Sequence, residues 1–364
     1  MRLFPFISLL LLFSACEDSS SIEPIQEQEN NFYFPPISSD AWEKVSPNTL
    51  DWDESKIPGL YDFLETNNTR AFIVLKNGKI ALEEYFGKTI LGVGDFQQNS
   101  TWYWASAGKT LTAFLVGKAQ EEGYLDITNP SADYLGINWT SLPVEKEELI
   151  TVRNQLTMTT GLDYRVDDPF CTDPACLQYR KDAGEQWYYH NAPYTLLDQV
   201  IENATGIDYN DYMDTQLEQT VGIGGTWRQS GFNNVYWSTA RDAARFGLLI
   251  LNKGDWDGQT IMQDKDYFED MITSSQSLNP SYGYLWWLNG KNTAIYPGLG
   301  VSLPGPLSQN APADAFAAMG KNGQFIIVVP SEDLVVVRMG QSPGDALVPI
   351  SFHDEMWEKL MEIL

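Results

Sequence analysis

Histidine is almost missing from this 364-residue chain: His190 and His353 are the only two. A Ser-His-acid or Cys-His hydrolase needs a histidine beside its nucleophile, so most histidine-based hydrolytic mechanisms are short of parts. Basic side chains are also sparse, 23 Lys+Arg against 49 Asp+Glu, a formal net charge of −26. With no Lys/Arg-rich run to release counterions, nucleic acid is excluded as a partner. Such a surface also repels anionic polymers and anionic lipid. Cysteine is limited to three. Aromatics are plentiful, with 12 Trp, 18 Tyr and 17 Phe, as a large core or an aromatic-walled cleft requires. The length suffices for one large core or two modest ones.

The first residues read as an export signal, with Arg2 ahead of an apolar stretch over 3–13 that is too short to span a bilayer. It ends at Phe13-Ser14-Ala15-Cys16, which resembles a bacterial lipobox and implies cleavage after residue 15 and lipid on Cys16. An ordinary cleaved signal with an incidental Cys16 is the alternative. The expectation is an exported lipoprotein, anchored in the outer membrane by lipid alone, facing the periplasm or the cell surface and monomeric. In an oxidising compartment the close pair Cys171 and Cys176 reads as a disulfide. Asp173 alone, with no histidine nearby, does not complete a metal site, and no cofactor is implied. Residues 16–40 are polar and aperiodic, a tether, with the folded domain expected over 41–364.

Apolar spacing predicts a helix over 53–64 with Asp53 as its cap. Residues 72–86, broken by Asn77-Gly78, predict a β-hairpin; residues 324–339 predict a second, and 351–364 a terminal helix. Strands at both chain ends imply one antiparallel sheet, from about 41–105 and 280–364, with 282–288 as a returning strand. The middle, about 106–280, reads as mainly helical, including 192–204 and 238–251.

Ser106-Ala-Gly-Lys109 is the only place where a lysine stands three residues after a serine. On a first helical turn, i and i+3 share a face, so the amine lies near the hydroxyl. Burial and the positive helix end both favour a neutral amine able to take a proton. Uncharged Trp102-Tyr103-Trp104-Ala105 before the pair, and the apolar helix after it, supply that burial. Tyr189-His190-Asn191 is the only Tyr-x-Asn: a phenol near Lys109 relays a proton, and Asn191 on the same side bonds the lysine or a substrate amide. These are the parts of a serine acyl-hydrolase that works without histidine.

The chain resembles the superfamily of class C β-lactamases, DD-peptidases, family VIII esterases and 6-aminohexanoate-dimer-hydrolase-like enzymes. Beyond the two motifs, residues 150–161 (ITVRNQLTMTTG), 184–197 (GEQWYYHNAPYTLL) and 238–247 (STARDAARFG) are similar to family segments, in family order, over about residues 50–340. The resemblance implies an α/β architecture of the α+β type, an antiparallel sheet flanked by helices with a mainly helical region completing a cleft. It implies that Ser106 is acylated while Lys109 and Tyr189 share proton transfer, with the base between them unassigned. The family's third motif, Lys-Thr-Gly or His-x-Gly on a strand, has two placements here. Ala318-Met319-Gly320 is preferred over Lys321-Asn322-Gly323, and the backbone N–H of Lys321 then joins that of Ser106 as an oxyanion hole. That placement removes the cation that holds a substrate carboxylate. It favours a small-molecule neutral ester or amide over a β-lactam or a D-alanyl carboxypeptidase substrate. A catalytically weak binding or sensor protein is the rival from another class.

Residues 163–182 would overhang this site. Their acids, Asp163, Asp167, Asp168 and Asp173, either select a cationic substrate or make a solvated loop, the simpler reading. Gly340-Gln-Ser342-Pro-Gly344 has the letters of a nucleophile elbow, but Pro343 does not suit its helix entry. Residues 254–258 read as a hairpin turn rather than a calcium loop.

Overall fold

The computed structural model describes residues 32–345 and 348–364; the export signal, Cys16 and most of the tether therefore lie outside the described residues. The strands that matter to the argument are β1 (Thr69–Lys76), β2 (Lys79–Tyr85), β3 (Trp102–Tyr103), β4 (Gly225–Ser230), β5 (Asn233–Ser238), β6 (Trp287–Leu288), β7 (Phe316–Gly320), β8 (Gln324–Val329) and β9 (Leu334–Gly340). The corresponding helices are α1 (Ile57–Thr66), α2 (Lys109–Glu121), α3 (Asn191–Thr195), α4 (Leu197–Thr205), α5 (Tyr209–Met213), α6 (Ala240–Leu251) and α7 (Ile350–Met361).

Both chain ends meet in one six-stranded sheet of order β2-β1-β9-β8-β7-β6, with every pair antiparallel. Two tight hairpins build most of it. Asn77 and Gly78 both take positive φ (50° and 79°), the mirror-image turn whose twist matches paired strands. A side chain at 78 would also place its Cβ 2.0 Å from the Tyr33 carbonyl oxygen, so glycine is required there. The β8–β9 hairpin closes through a turn at Pro330–Glu332, with Val328 opposite Val335.

Successive strand residues point to opposite faces. On one face α6 packs across β8 and β9, its start fixed by the Thr239–Asp242 capping box. On the other face Phe325 stacks on Phe352 of α7, ring centres 6.4 Å apart, and α7 packs on α1. The result is a helix–sheet–helix sandwich with its core in two apolar layers.

Four expectations are corrected. Residues 32–40 are not free tether: Phe34 packs on Trp256 at 5.1 Å, and Arg245 donates to the Pro36 and Ser39 carbonyls at 2.9 Å each. The stretch 282–288 is a strand only at Trp287–Leu288. Gly283 N–H bonds back to the Trp286 carbonyl and Leu285 takes φ 63°, so the aromatic run folds into a knot that buries every ring instead of alternating faces. The middle third is not simply helical: β3, β5 and β4 form a second sheet, fed from the expected sheet region by Trp102 and Tyr103. The helix over 192–204 is two helices, broken at Leu196. The 254–258 segment is the expected hairpin, Trp256 opposite Gln259.

Candidate active site

The β3 strand delivers the chain to Ala105, which takes φ 48°, a conformation a β-carbon disfavours. That twist starts a single tight turn, Ala105–Gly108, which runs straight into α2. Ser106 is half-buried on this turn, and the helix behind it is buried from Lys109 through Ala119. The serine thus stands at the tip of a central, inward-packed helix.

Lys109 is 4% exposed, the circumstance the sequence pattern required of a neutral amine. Its Nζ lies 3.6 Å from the centre of the Tyr194 ring and 5.4 Å from that of Tyr189. Burial pulls the amine down to about 7 from its ordinary value, against the opposing pull of the Asp198 charge. Tyr189 is buried too, stacked on Trp287 at 5.7 Å and edge-on to Tyr282 at 6.2 Å. Burial pushes its phenol well above the usual range, and a hydrogen bond from Ser106 offsets part of that shift. Serine, amine and phenol, drawn from two distant stretches, therefore share one buried corner.

The strand β7 ends against the same turn. A Cβ on Gly320 would lie 2.5 Å from the Trp104 carbonyl oxygen and 3.0 Å from the Ala107 nitrogen, so only glycine allows this approach. Lys321, Asn322 and Gly323 then form a tight turn with Asn322 at φ 66°. The Asn322 amide donates to the Tyr103 hydroxyl at 2.8 Å, and Arg338 donates to the Asn322 and Gly323 carbonyls at 2.6 and 3.1 Å. Ala318 and Met319 are buried within β7, whereas Lys321-Asn322-Gly323 lies beyond its end, which favours the first of the two motif placements. No cation stands on the strand at that position, and the Lys321 side chain is exposed.

Asn191 opens α3 beside Tyr189, half-buried, but its side chain makes no hydrogen bond to Lys109. The two histidines are both buried and pulled down to about 4 by burial, hence neutral, and neither ring has a hydrogen-bond partner. Among the described residues, no group of three or more His, Cys, Asp or Glu side chains could hold a metal ion.

Cys171 and Cys176 are joined, with Cα atoms 5.9 Å apart. Leu162 and Leu177 root this loop in a small apolar cluster with Trp139 and Ile150. Tyr164 stacks face to face on Tyr188, ring centres 3.4 Å apart, which sets the loop against the residue preceding Tyr189. Asp163 is paired with Arg165 and Arg180, and Asp168 bonds the Phe170 backbone N–H. These two acids stabilise the loop itself, in keeping with the simpler reading.

Tyr194 and Asp198 went unnoticed in the sequence, although an acid following Tyr194-Thr-Leu-Leu was a signal. Arg338 was equally legible as a lone cation in Leu334-Val-Val-Val-Arg338-Met-Gly340. Neither signal says what the residue touches.

Known proteins fit this geometry. A model of the beta-lactamase family matches residues 51–348. The chain is 23% identical over 340 residues to the 6-aminohexanoate-dimer hydrolase of Paenarthrobacter ureafaciens, spanning 81% of this chain and 78% of that one. It is 21% identical over 356 residues to a beta-lactamase of Escherichia coli, spanning 85% and 89%. A penicillin-binding protein homologue from Caulobacter crescentus superposes with a TM-score of 0.65 at 14% identity, covering 85% of this chain and 98% of that one. With a helix-tip serine, a buried amine and an antiparallel sheet between helices, the chain belongs to the beta-lactamase family of serine hydrolases and has the β-lactamase/DD-peptidase fold.

Proposed function

We propose that the chain hydrolyses a neutral ester or amide through an acyl group carried on Ser106. The observation that carries this reading is the burial of Lys109 and Tyr189 together beside the Ser106 hydroxyl. Burial brings the amine to about 7, so that about half of it is neutral at pH 7, and keeps the phenol protonated; in this reading Lys109 is the resting base and Tyr189 the relay. Ser106 Oγ attacks the carbonyl carbon, and its proton passes through the phenol to Lys109. The backbone N–H groups of Ser106 and Lys321 receive the developing oxyanion. On collapse the C–O or C–N bond breaks, and the proton returns through Tyr189 to the leaving group. Water then repeats the sequence on the acyl-enzyme, releasing the acid and restoring Ser106.

Substrate charge follows from β7. With alanine and methionine where the superfamily places a cation, a substrate carboxylate loses its partner. A short-chain nitrophenyl ester is therefore expected to turn over at least about 10²-fold faster, in kcat/KM, than a chromogenic cephalosporin. The reverse preference would establish the β-lactamase reading instead. A fluorophosphonate probe should label the peptide containing Ser106, read by mass spectrometry; an unlabelled serine would indicate a binding or sensor protein.

The proposal also makes Gly320 indispensable. Gly320→Ala must push β7 away from the Ser106 turn, displacing the Lys321 N–H. A kcat/KM loss of about 10²-fold is expected for a misplacement near 1 Å. Thermal melting should show a stability loss of about 1–3 kcal/mol from the overpacked contact. Full activity in this variant would remove Lys321 from the oxyanion hole.

The protein is proposed to act as a monomer held at the membrane by lipid on Cys16.

A further inference from the structure

A buried polar cluster lies beside Lys109, and the reaction as written leaves it unused. Helix α4 packs against α2, which begins at Lys109, and Asp198 sits in the first turn of α4. Oδ2 of Asp198 accepts a hydrogen bond from the Asn234 amide at 3.1 Å. Its Oδ1 is sealed from solvent and has no hydrogen-bond partner. One turn along α2 from the lysine, the Thr112 hydroxyl meets the Tyr209 hydroxyl at 2.7 Å, and Tyr209 also faces Asp198. Tyr194 closes the cluster over the amine.

An interior carboxylate with an orphan oxygen is costly unless it is protonated or a cation stands near. Lys109 is the cation acting on it; Glu202, one turn further along α4, is the anion opposing it. Toward the lysine, the facing groups are Asp198 from α4, Tyr194 from α3 and Tyr189 from the segment before it. Tyr209 on α5 and Asn234 on β5 complete the surroundings of the acid.

We propose that Asp198 is a positioning residue for the reaction, its buried carboxyl, held across the α2–α4 contact from the Lys109 amine, setting how strongly that amine competes for the Ser106 proton. This rests on the assignment of Lys109 as base. Burial lifts the acid to about 7 and lowers the amine to about 7, so that the two titrate over the same range. In the reactive form, present above the acid limb, the amine is neutral and the carboxyl ionised, so that when Ser106 attacks, its proton ends on Nζ and an ammonium forms opposite the carboxylate, which stabilises it. On collapse that proton leaves through Tyr189 and the pair returns to its resting count. The carboxylate thus makes Lys109 a stronger base at the expense of its availability in acid.

The test is the pH dependence of kcat/KM for a nitrophenyl ester in wild type, Asp198→Asn and Asn234→Ala. Asparagine keeps the shape and removes the charge, so Lys109 loses its proton more readily. The acid limb of Asp198→Asn should move to lower pH by about one unit, with a modest fall in the alkaline plateau. Asn234→Ala removes a donor that favours the ionised acid, so its limb should move the same way by less. A structural role alone would change rates or melting temperature without moving the limb. An unmoved or upward-moved limb in Asp198→Asn overturns the proposal; should that variant fail to fold, an unmoved limb in Asn234→Ala overturns it. Both outcomes presuppose an acid limb near pH 7 in wild type, and a flat wild-type profile overturns the base assignment itself.

Discussion

Ser106→Ala is expected to lower kcat on a short-chain nitrophenyl ester by about 10³-fold or more, with the melting temperature nearly unchanged. The oxygen removed is the proposed nucleophile, and alanine fits the same turn because its neighbour Ala107 already does. Backbone N–H groups survive the substitution, so a residual rate above that of water persists and KM changes little. Intact-protein mass spectrometry should show an acyl or phosphonyl adduct on the wild type and none on the variant. Undiminished ester hydrolysis by Ser106→Ala, in protein free of contaminating esterase, would end the proposed mechanism.

The second large effect is at Lys109. Lys109→Met is expected to cost about 10²–10⁴-fold in kcat/KM, the range for a lost general base. It is also expected to raise the melting temperature at pH 6 by a few degrees. Activity and stability diverge because the folded site disfavours the ammonium. The unfolded chain holds the lysine proton up to its ordinary value, while the native state releases it near 7. Between those values the unfolded state binds more protons, so the native lysine becomes less of a burden as pH rises from 7 toward 10. Below 7 the penalty is fully present, and methionine removes it. A variant that is inactive and destabilised at pH 6 would argue that Lys109 holds the fold rather than the proton. In wild type the same group requires kcat/KM to rise through about pH 7 and then level. Tyr189, pushed above the ordinary phenol range, should produce no alkaline fall below about pH 10.

Local chemistry explains which elements were legible. Asn77-Gly78 between alternating apolar residues encodes a turn by its own backbone preference, as do Pro330 to Asp333 in the second hairpin. Thr239 and Asp242 mark the start of α6 through a box of four residues. The 282–288 run failed because seven apolar and aromatic letters satisfy a strand and a buried knot equally well. Hydrogen bonds to distant partners, such as Leu285 N–H to the Leu156 carbonyl more than a hundred residues away and Tyr284 N–H to the Met271 carbonyl, help distinguish them. The β4–β5 hairpin was missed for a related reason: its partner β3 lies far upstream, and Gly231 alone is a weak turn signal.

The site divides along the same line. Sequence determined that Ser106 and Lys109 share a helical face, since i and i+3 do so on any helix, and that no charged residue precedes them. It also favoured Ala318-Met319-Gly320, which carries no cation, over Lys321-Asn322-Gly323 for the strand motif; the end of the strand at Gly320 came from the structure. The tertiary structure alone decided that Tyr189 faces Ser106, that Gly320 touches the turn before it, and that Asp198 lies beside the amine. Adjacency along the chain acts through bond geometry that every helix or turn repeats. Convergence of distant segments depends on which apolar surfaces pack together, and no short stretch of residues contains that information.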